Sequence, residues 1–282
     1  MIYVLFLFLV TAVWGWTFVL VKDALQHYPT LPFLELRFIL ALLVMVALVR
    51  RLPTQRELRV GLIAGAVLAA GYWTQTVGLT MVSPGNSGLI TGLFVVFTPL
   101  IDSLFGVRLR WWTWIAVAAA LTGTVMLVGG PSNFRLGDLL TVACAILYAL
   151  HIVLLSKWSP GLRSAPLAMV QMGAGALIFT GTGSWSFQLP GPNVWFAVVV
   201  TGVFASALAF YIQTWAQQHL SASRTALILA TEPAWALLAA VVLAGQRFGP
   251  LQAAGAALLL AAIVGHELAH LKFKAHGVQV PA

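Results

Sequence analysis

The chain has 282 residues, is 61% hydrophobic and carries fifteen Lys or Arg and seven Asp or Glu. A soluble domain holds about 25% charged residues and a disordered one is poor in apolar side chains, so the composition excludes both. The net charge of +8 reflects a shortage of acids, and the basic residues sit between apolar runs rather than along one stripe. That arrangement argues against a nucleic-acid partner and for the lipid bilayer.

Read in chain order, the apolar runs are Ile2–Val21, Leu34–Val49, Val60–Thr80, Ser87–Phe105, Trp111–Gly129, Leu136–Ser156, Ala165–Gly183, Val194–Thr214, Ala222–Ala244 and Leu251–Leu268. Each is close to the ~20 residues that a membrane-spanning helix needs. Lipid offers no partners to an open backbone, so the runs predict helices. Long unbroken runs also exclude a β-barrel, whose strands alternate polar and apolar residues. The expected fold class is an all-α integral membrane protein with ten transmembrane helices, spans 1 to 10 in chain order. The N-terminal stretch MIYVLFLFLVTAVWGW lacks the basic start and cleavage site of a signal peptide and is read as a retained span. Cys144 is the only cysteine, which excludes an internal disulfide framework and a cysteine metal cluster. No P-loop, Rossmann glycine motif or G-x-S-x-G is present, and no cofactor is expected.

The basic residues sort by side. Arg50, Arg51, Arg56, Arg59, Arg108, Arg110, Lys157, Arg163, Arg224, Lys272 and Lys274 fall on one side, eleven in all. Lys22, Arg135 and Arg247 fall on the other, and Arg37 lies within span 2. The positive-inside rule then predicts that both termini are cytoplasmic. Trp111, Trp112, Trp114, Trp158, Trp185 and Trp195 lie near span ends, where aromatic belts form.

A shift of 138 residues aligns spans 3–5 with spans 8–10 without a gap. Gln75-Thr76 falls on Gln213-Thr214, Ser83 on Ser221, and Leu89-Ile90 on Leu227-Ile228. The unit is five helices used twice: a first repeat over 1–130, a second over 131–270, and a cytoplasmic tail over 271–282. Five is odd, so the second copy enters the membrane inverted. Inverted repeats point to secondary transporters, with a midplane site built from interrupted helices. Spans 4 and 9 correspond and contain Pro99 and Pro233, each of which frees a backbone carbonyl. Both are gating candidates. Gly61 and Gly65 in span 3, and the run Ala253–Ala257 in span 10, suit close helix packing.

Trp14-Gly15-Trp16-Thr17-Phe18 through Lys22, then Leu36-Arg37-Phe38, resembles the start of an EamA repeat. So does SPGNSGLITGLFVVFTP from Ser83 to Pro99, and Glu232-Pro233 resembles the matching segment of the second copy. The chain is thereby similar, over roughly residues 10–268, to the drug/metabolite transporter superfamily. The resemblance implies an inner-membrane carrier of small metabolites, often an exporter, that works by alternating access. Members commonly carry a Gly-Glu-Arg-Leu-like turn after the fourth helix of each repeat. In this chain the turns read Gly106-Val107-Arg108-Leu109 and Gly245-Gln246-Arg247-Phe248, without either acid.

A charge at the bilayer centre costs roughly 2.5–3.5 kcal/mol on insertion scales, so an intramembrane acid is a functional candidate. Glu232 is the best placed, eleventh in span 9 and directly before Pro233. It is expected to exchange a proton during the cycle or attract an amino group; a structural carboxylate capping the broken helix is the competing reading. Arg37 near the outer end of span 2 either holds a substrate carboxylate or locks a helix end. Asp102 in span 4 is within reach of Arg108 or Arg110 and suits a structural or gating ion pair.

The uncharged candidates for a substrate pocket are Trp14, Trp16 and Thr17; Tyr72, Trp73, Gln75 and Thr76; Asn86 and Thr91; Tyr148 and His151; and Tyr211, Gln213 and Trp215. Aromatics with a few polar groups suit a small-molecule pocket, and the same residues also pack transmembrane helices. The expected partners are the bilayer and a small cargo such as an amino acid or amphipathic compound, carried by a monomer or homodimer.

One motif points to another class. His266-Glu267-Leu268-Ala269-His270 matches H-E-x-x-H, the zinc-protease pattern that places two imidazoles one turn apart. A catalytic zinc needs a third protein ligand, and only His276 follows. A membrane-embedded metalloprotease is therefore the alternative, and a polar helix end the preferred reading.

Overall fold

The computed structural model describes residues 2–106, 111–127, 129–130, 133–182, 189–220, 225, 228–229 and 231–275, without the side chains of 113, 263 and 266–275. The protein is all-α, with no strand among the described residues. Among the described residues, seven helices are long and apolar enough to cross a membrane: Ile2–Ala24, Thr30–Leu48, Gln55–Met81, Pro84–Ser103, Leu136–Trp158, Ser164–Gly181 and Pro192–Gln217. Shorter apolar helices at Trp114–Leu127, Glu232–Val242 and Pro250–Ala262 fall on spans 5, 9 and 10.

Helix ends are set locally. Thr54 opens span 3 with a capping box: its hydroxyl accepts from Glu57 N–H at 3.3 Å, and the Glu57 carboxylate accepts from Thr54 N–H at 2.7 Å. Ser83 caps the helix of span 4, and Pro84 occupies its first turn, where the missing N–H costs nothing.

The helices pack as two interlocked copies. Span 3 lies against spans 6 and 7, and the equivalent span 8 lies against spans 1 and 2. Span 1 packs on span 9, as span 6 packs on span 4. Spans 2 and 7, 4 and 9, and 5 and 10 pair with their own counterparts. The duplication seen in the sequence thus reappears in the packing, and much of the core lies between the repeats.

Glycines set the closest approaches. A Cβ on Gly61 would lie 2.6 Å from Val170 Cβ, and one on Gly65 would lie 2.7 Å from Ala174 Cβ. Spans 5 and 10 meet backbone to backbone, since a Cβ on Gly255 would sit 2.5 Å from Leu127 N and 2.7 Å from Gly123 O. Backbone cannot swing aside as a flexible side chain does. Gly255→Val is therefore expected to cost about 1–3 kcal/mol through overpacking. A lowered apparent melting temperature of the purified protein, with Ala254→Val as the comparison, checks this.

Both predicted helix interruptions exist, but the one in span 4 is displaced. The break falls at Gly92–Leu93, between helices Pro84–Thr91 and Phe94–Ser103. There the chain tightens: Val95 N–H bonds Gly92 O at 3.1 Å and Val96 N–H bonds Leu93 O at 2.9 Å. Pro99 lies inside the second helix, so the expectation that the interruption falls at this proline is corrected. In span 9, Thr231 is in a turn and a new helix starts at Glu232, with Pro233 in its first turn. Leu93 and Thr231 are 138 positions apart, so the breaks correspond under the repeat although the prolines do not. Span 8 carries a feature the sequence did not announce, a π-helical segment over Val200–Leu208.

Candidate functional site: a central cavity between the repeats

A cavity lies between spans 1, 2, 3, 4, 6, 8 and 9. The repeat offset maps its wall onto itself. Trp14 and Ile152, Tyr72 and Phe210, Gln75 and Gln213, and Phe94 and Glu232 are all wall residues separated by 138 positions. Each repeat therefore supplies the same faces, decorated differently.

The π segment of span 8 organises the first cluster. A π turn changes the register of the backbone and is frequent at functional sites. In this one the Ala205 carbonyl accepts from Trp14 Nε1 at 2.8 Å, and more weakly from Tyr72 Oη and Arg37 Nη2, each at 3.4 Å. Arg37 also donates from Nε to Ser206 Oγ at 2.8 Å and from Nη2 to Tyr72 Oη at 3.0 Å. Its guanidinium carbon lies 4.3 Å from the Tyr72 ring centroid, a cation–π contact. Arg37 is only 3% exposed, and no carboxylate lies within ion-pair distance of it among the described residues. The helix-end lock is thus realised in small part, by one long bond to a carbonyl; the other partners are hydroxyls and a ring.

A second cluster joins the middle spans. Tyr148 Oη donates to Gln75 Oε1 at 3.1 Å, and Gln75 Nε2 donates to Thr91 Oγ1 at 3.4 Å. His151 Nε2 lies 2.8 Å from Gln171 Oε1, while Gln171 Nε2 donates to Thr214 Oγ1 at 3.3 Å. An amide oxygen only accepts, which assigns the imidazole proton to Nε2. Gln213 Nε2 donates to Gln217 Oε1 at 3.0 Å, whereas the buried Gln213 Oε1 has no partner among the described residues.

Glu232 is 5% exposed, lines the cavity and begins the half-helix of span 9. The positive end of a helix dipole favours a carboxylate there. Its side chain makes no hydrogen bond or ion pair among the described residues. Next to it, Thr231 Oγ1 lies 2.8 Å from Thr11 Oγ1, tying the break in span 9 to span 1.

The cavity wall contains ten of the predicted residues: Trp14, Thr17, Arg37, Tyr72, Gln75, Thr76, Tyr148, His151, Gln213 and Glu232. Thr91 stands one hydrogen bond behind it. Trp16 is 44% exposed on the outside of the bundle, because two residues along a helix from Trp14 it points away from the wall. Tyr211 packs into the core around Phe38 and Phe210. Asn86 lies near the end of the bundle, where Gln246 Nε2 donates to its Oδ1 at 3.3 Å and Gln246 Oε1 accepts from Gly85 N–H at 3.0 Å. Gln246 stands where the related turn carries Glu, so an amide ties the repeats together at that point. Asp102 pairs with Lys157 at 3.0 Å, across to span 6; Arg108 and Arg110 lie outside the described residues. His266, Glu267 and His270 belong to the helix Pro250–Ala275, but their side chains are outside the described set.

Sequence reasoning missed Ser206, the Ala205 carbonyl and Phe210. Phe210 was recoverable, since the repeat offset places it on Tyr72. Ser206 and the carbonyl depend on the π register, which has no evident signal in the run VTGVFASAL.

A cavity with a mixed polar and apolar wall between two inverted five-helix repeats, beside interrupted helices, is the arrangement of a membrane transporter. The family model described as the EamA-like transporter family matches residues 1–129 and 135–266, and the chain belongs to that family. An uncharacterized transporter of Archaeoglobus fulgidus is 30% identical over 267 residues, covering 91% of this chain and 82% of that protein. The uncharacterized inner membrane transporter YedA of Escherichia coli K12 is 24% identical over 286 residues, covering 98% of this chain and 94% of its own. A solved crystal structure shares the fold, with a TM-score of 0.70, 20% identity and 99% of both chains covered.

Proposed function

We propose that this protein is an inner-membrane secondary transporter that exports small metabolites, such as amino acids or amphipathic compounds, by alternating access. Rocking of the repeats about their pseudo-two-fold axis would expose the cavity to either side in turn. The charge asymmetry of the loops supports placing both termini in the cytoplasm. Proton exchange at Glu232 drives the cycle. The observation that carries this reading is an acid with no partner among the described residues, buried in a cavity between repeats. Among the described residues the charged group that shares the cavity wall with it is Arg37, which does not pair with it.

Flux of a labelled amino-acid mixture into proteoliposomes tests the mechanism. A carrier saturates and shows counterflow; a channel does neither. An imposed pH gradient is expected to accelerate wild-type flux, and Glu232→Gln is expected to lose that response. Flux indifferent both to the gradient and to the substitution would leave facilitated diffusion.

A further inference from the structure

The cavity wall is symmetric in position but not in charge. Its cation, Arg37, comes from the first repeat; its anion, Glu232, comes from the second. The wall position that corresponds to Glu232 in the first repeat is Phe94, an apolar residue. Both charged side chains are more than nine-tenths buried, at 3% and 5% exposure. Opposite charges buried around one cavity would ordinarily neutralise each other, since an unpaired buried charge is expensive. These two do not: the ion pairs among the described residues are Lys157–Asp102 and Arg163–Glu57.

Their surroundings hold them apart. Nε and Nη2 of Arg37 are occupied by Ser206, Tyr72 and the Ala205 carbonyl, and its face lies on the Tyr72 ring. Those partners are neutral, so they orient the guanidinium without cancelling its charge. Nη1 has no hydrogen bond among the described residues, which leaves donor capacity for an oxyanion. Glu232 is fixed at the start of a half-helix, with its carboxylate free of protein donors among the described residues. Aromatic faces from Trp14, Tyr148 and Phe210 complete an apolar body between polar points.

We propose that the cavity selects a small zwitterion, with a carboxylate or similar oxyanion on Arg37 and a protonated amine on Glu232. This rests on the transporter reading and narrows its cargo from small metabolites in general to molecules that carry both charges. Such a cargo supplies the counter-charge that each residue lacks. A molecule with one charge leaves the other residue buried and unpaired, so discrimination comes from the residue left unserved.

The test measures binding to the detergent-purified full chain by isothermal titration calorimetry. The probes are the standard amino acids, together with the methyl ester and the N-acetyl derivative of each one that binds. The expected result is that at least one zwitterion binds, and that its ester and N-acetyl form bind about tenfold or more weakly. Arg37→Gln is expected to remove the discrimination against the ester, and Glu232→Gln the discrimination against the N-acetyl form. Failure of every amino acid to bind overturns the proposal, as does equal binding of a zwitterion and its singly charged forms. The wild-type comparison stands even where a variant fails to fold. Counterflow with the same probes separates the two readings. Saturable transport of a neutral or singly charged compound, without transport of any zwitterion, would keep the transporter and overturn the zwitterion. Absence of saturable transport for every probe would instead remove the transporter reading.

Discussion

Ala236→Leu is expected to lower the apparent melting temperature of the purified protein by more than Gly255→Val does. Ala236 is fully buried one helical turn beyond Glu232. Spans 1 and 4 both press on it. A Cβ on Gly15 would lie 2.5 Å from Trp235 Cβ and 2.7 Å from Ala236 N, and a Cβ on Gly88 would collide with Ala236 Cβ. If neither neighbour has room for one methyl group, the position has none for an isobutyl group. Overpacking of this kind costs typically about 1–3 kcal/mol and occasionally more. Three helices meeting at one point place Ala236→Leu at about 3 kcal/mol or above. The functional consequence follows from the same geometry. Trp14 and Thr17 on span 1 flank Gly15, and Glu232 heads the helix that carries Ala236. Wedging spans 1 and 9 apart moves the opposite walls of the cavity. Ala236→Gly is the control, with an expected cost of about 1 kcal/mol from helix propensity alone. An Ala236→Leu protein that melts with the wild type would show that the three spans do not meet this closely.

The second large effect is expected at Glu57. Its side chain is 2% exposed, yet it sits in the first turn of a helix beside the polar end of the bundle. It accepts from Thr54 N–H at 2.7 Å, from Arg163 N–H at 3.0 Å, from Arg163 Nε at 2.9 Å and from Arg163 Nη2 at 2.7 Å. One carboxylate thus caps span 3 and clamps the turn before span 7, linking the two repeats. Glu57→Ala removes these charge-assisted bonds together and is expected to cost about 3 kcal/mol. Glu57→Gln keeps an oxygen for the Thr54 cap and is expected to lose less. The order wild type, Gln, Ala in melting temperature checks the assignment. Equal melting of all three would reduce the clamp to a surface contact. Asp102–Lys157 also reaches from the first repeat to the segment around Lys157, so two ion pairs bridge the repeats at that end of the bundle.

Much of this architecture was legible before folding because the bilayer leaves few choices. Lipid demands apolar runs of a certain length with closed backbones, so hydropathy alone marked the helices. The offset of 138 residues, carried by Gln75-Thr76 and Gln213-Thr214, then fixed the inverted duplication. It also anticipated more than it was used for, since it pairs Tyr72 with Phe210 on the cavity wall and Leu93 with Thr231 at the two breaks. Intramembrane charge is rare because it is costly, and for that reason Arg37 and Glu232 stood out in the sequence.

Local chemistry proved a weaker guide to where a helix breaks. Proline was the expected mark, yet span 4 opens at Gly92–Leu93 while Pro99 rides inside a helix. A missing N–H can be absorbed by tightening the turn before it, and the sequence does not say which turn yields.

The sequence by itself determined the ten spans, the duplication, the family and the identity of the two buried charges. These follow from one-dimensional quantities, namely hydropathy, spacing and residue type. Only the tertiary structure decided partners and directions. The π turn in span 8 aims the Ala205 carbonyl and Ser206 at Arg37. Asp102 meets Lys157 from another span. Arg37 and Glu232 share a cavity without touching. Such pairings depend on the rotation and register of packed helices, which no residue sets alone.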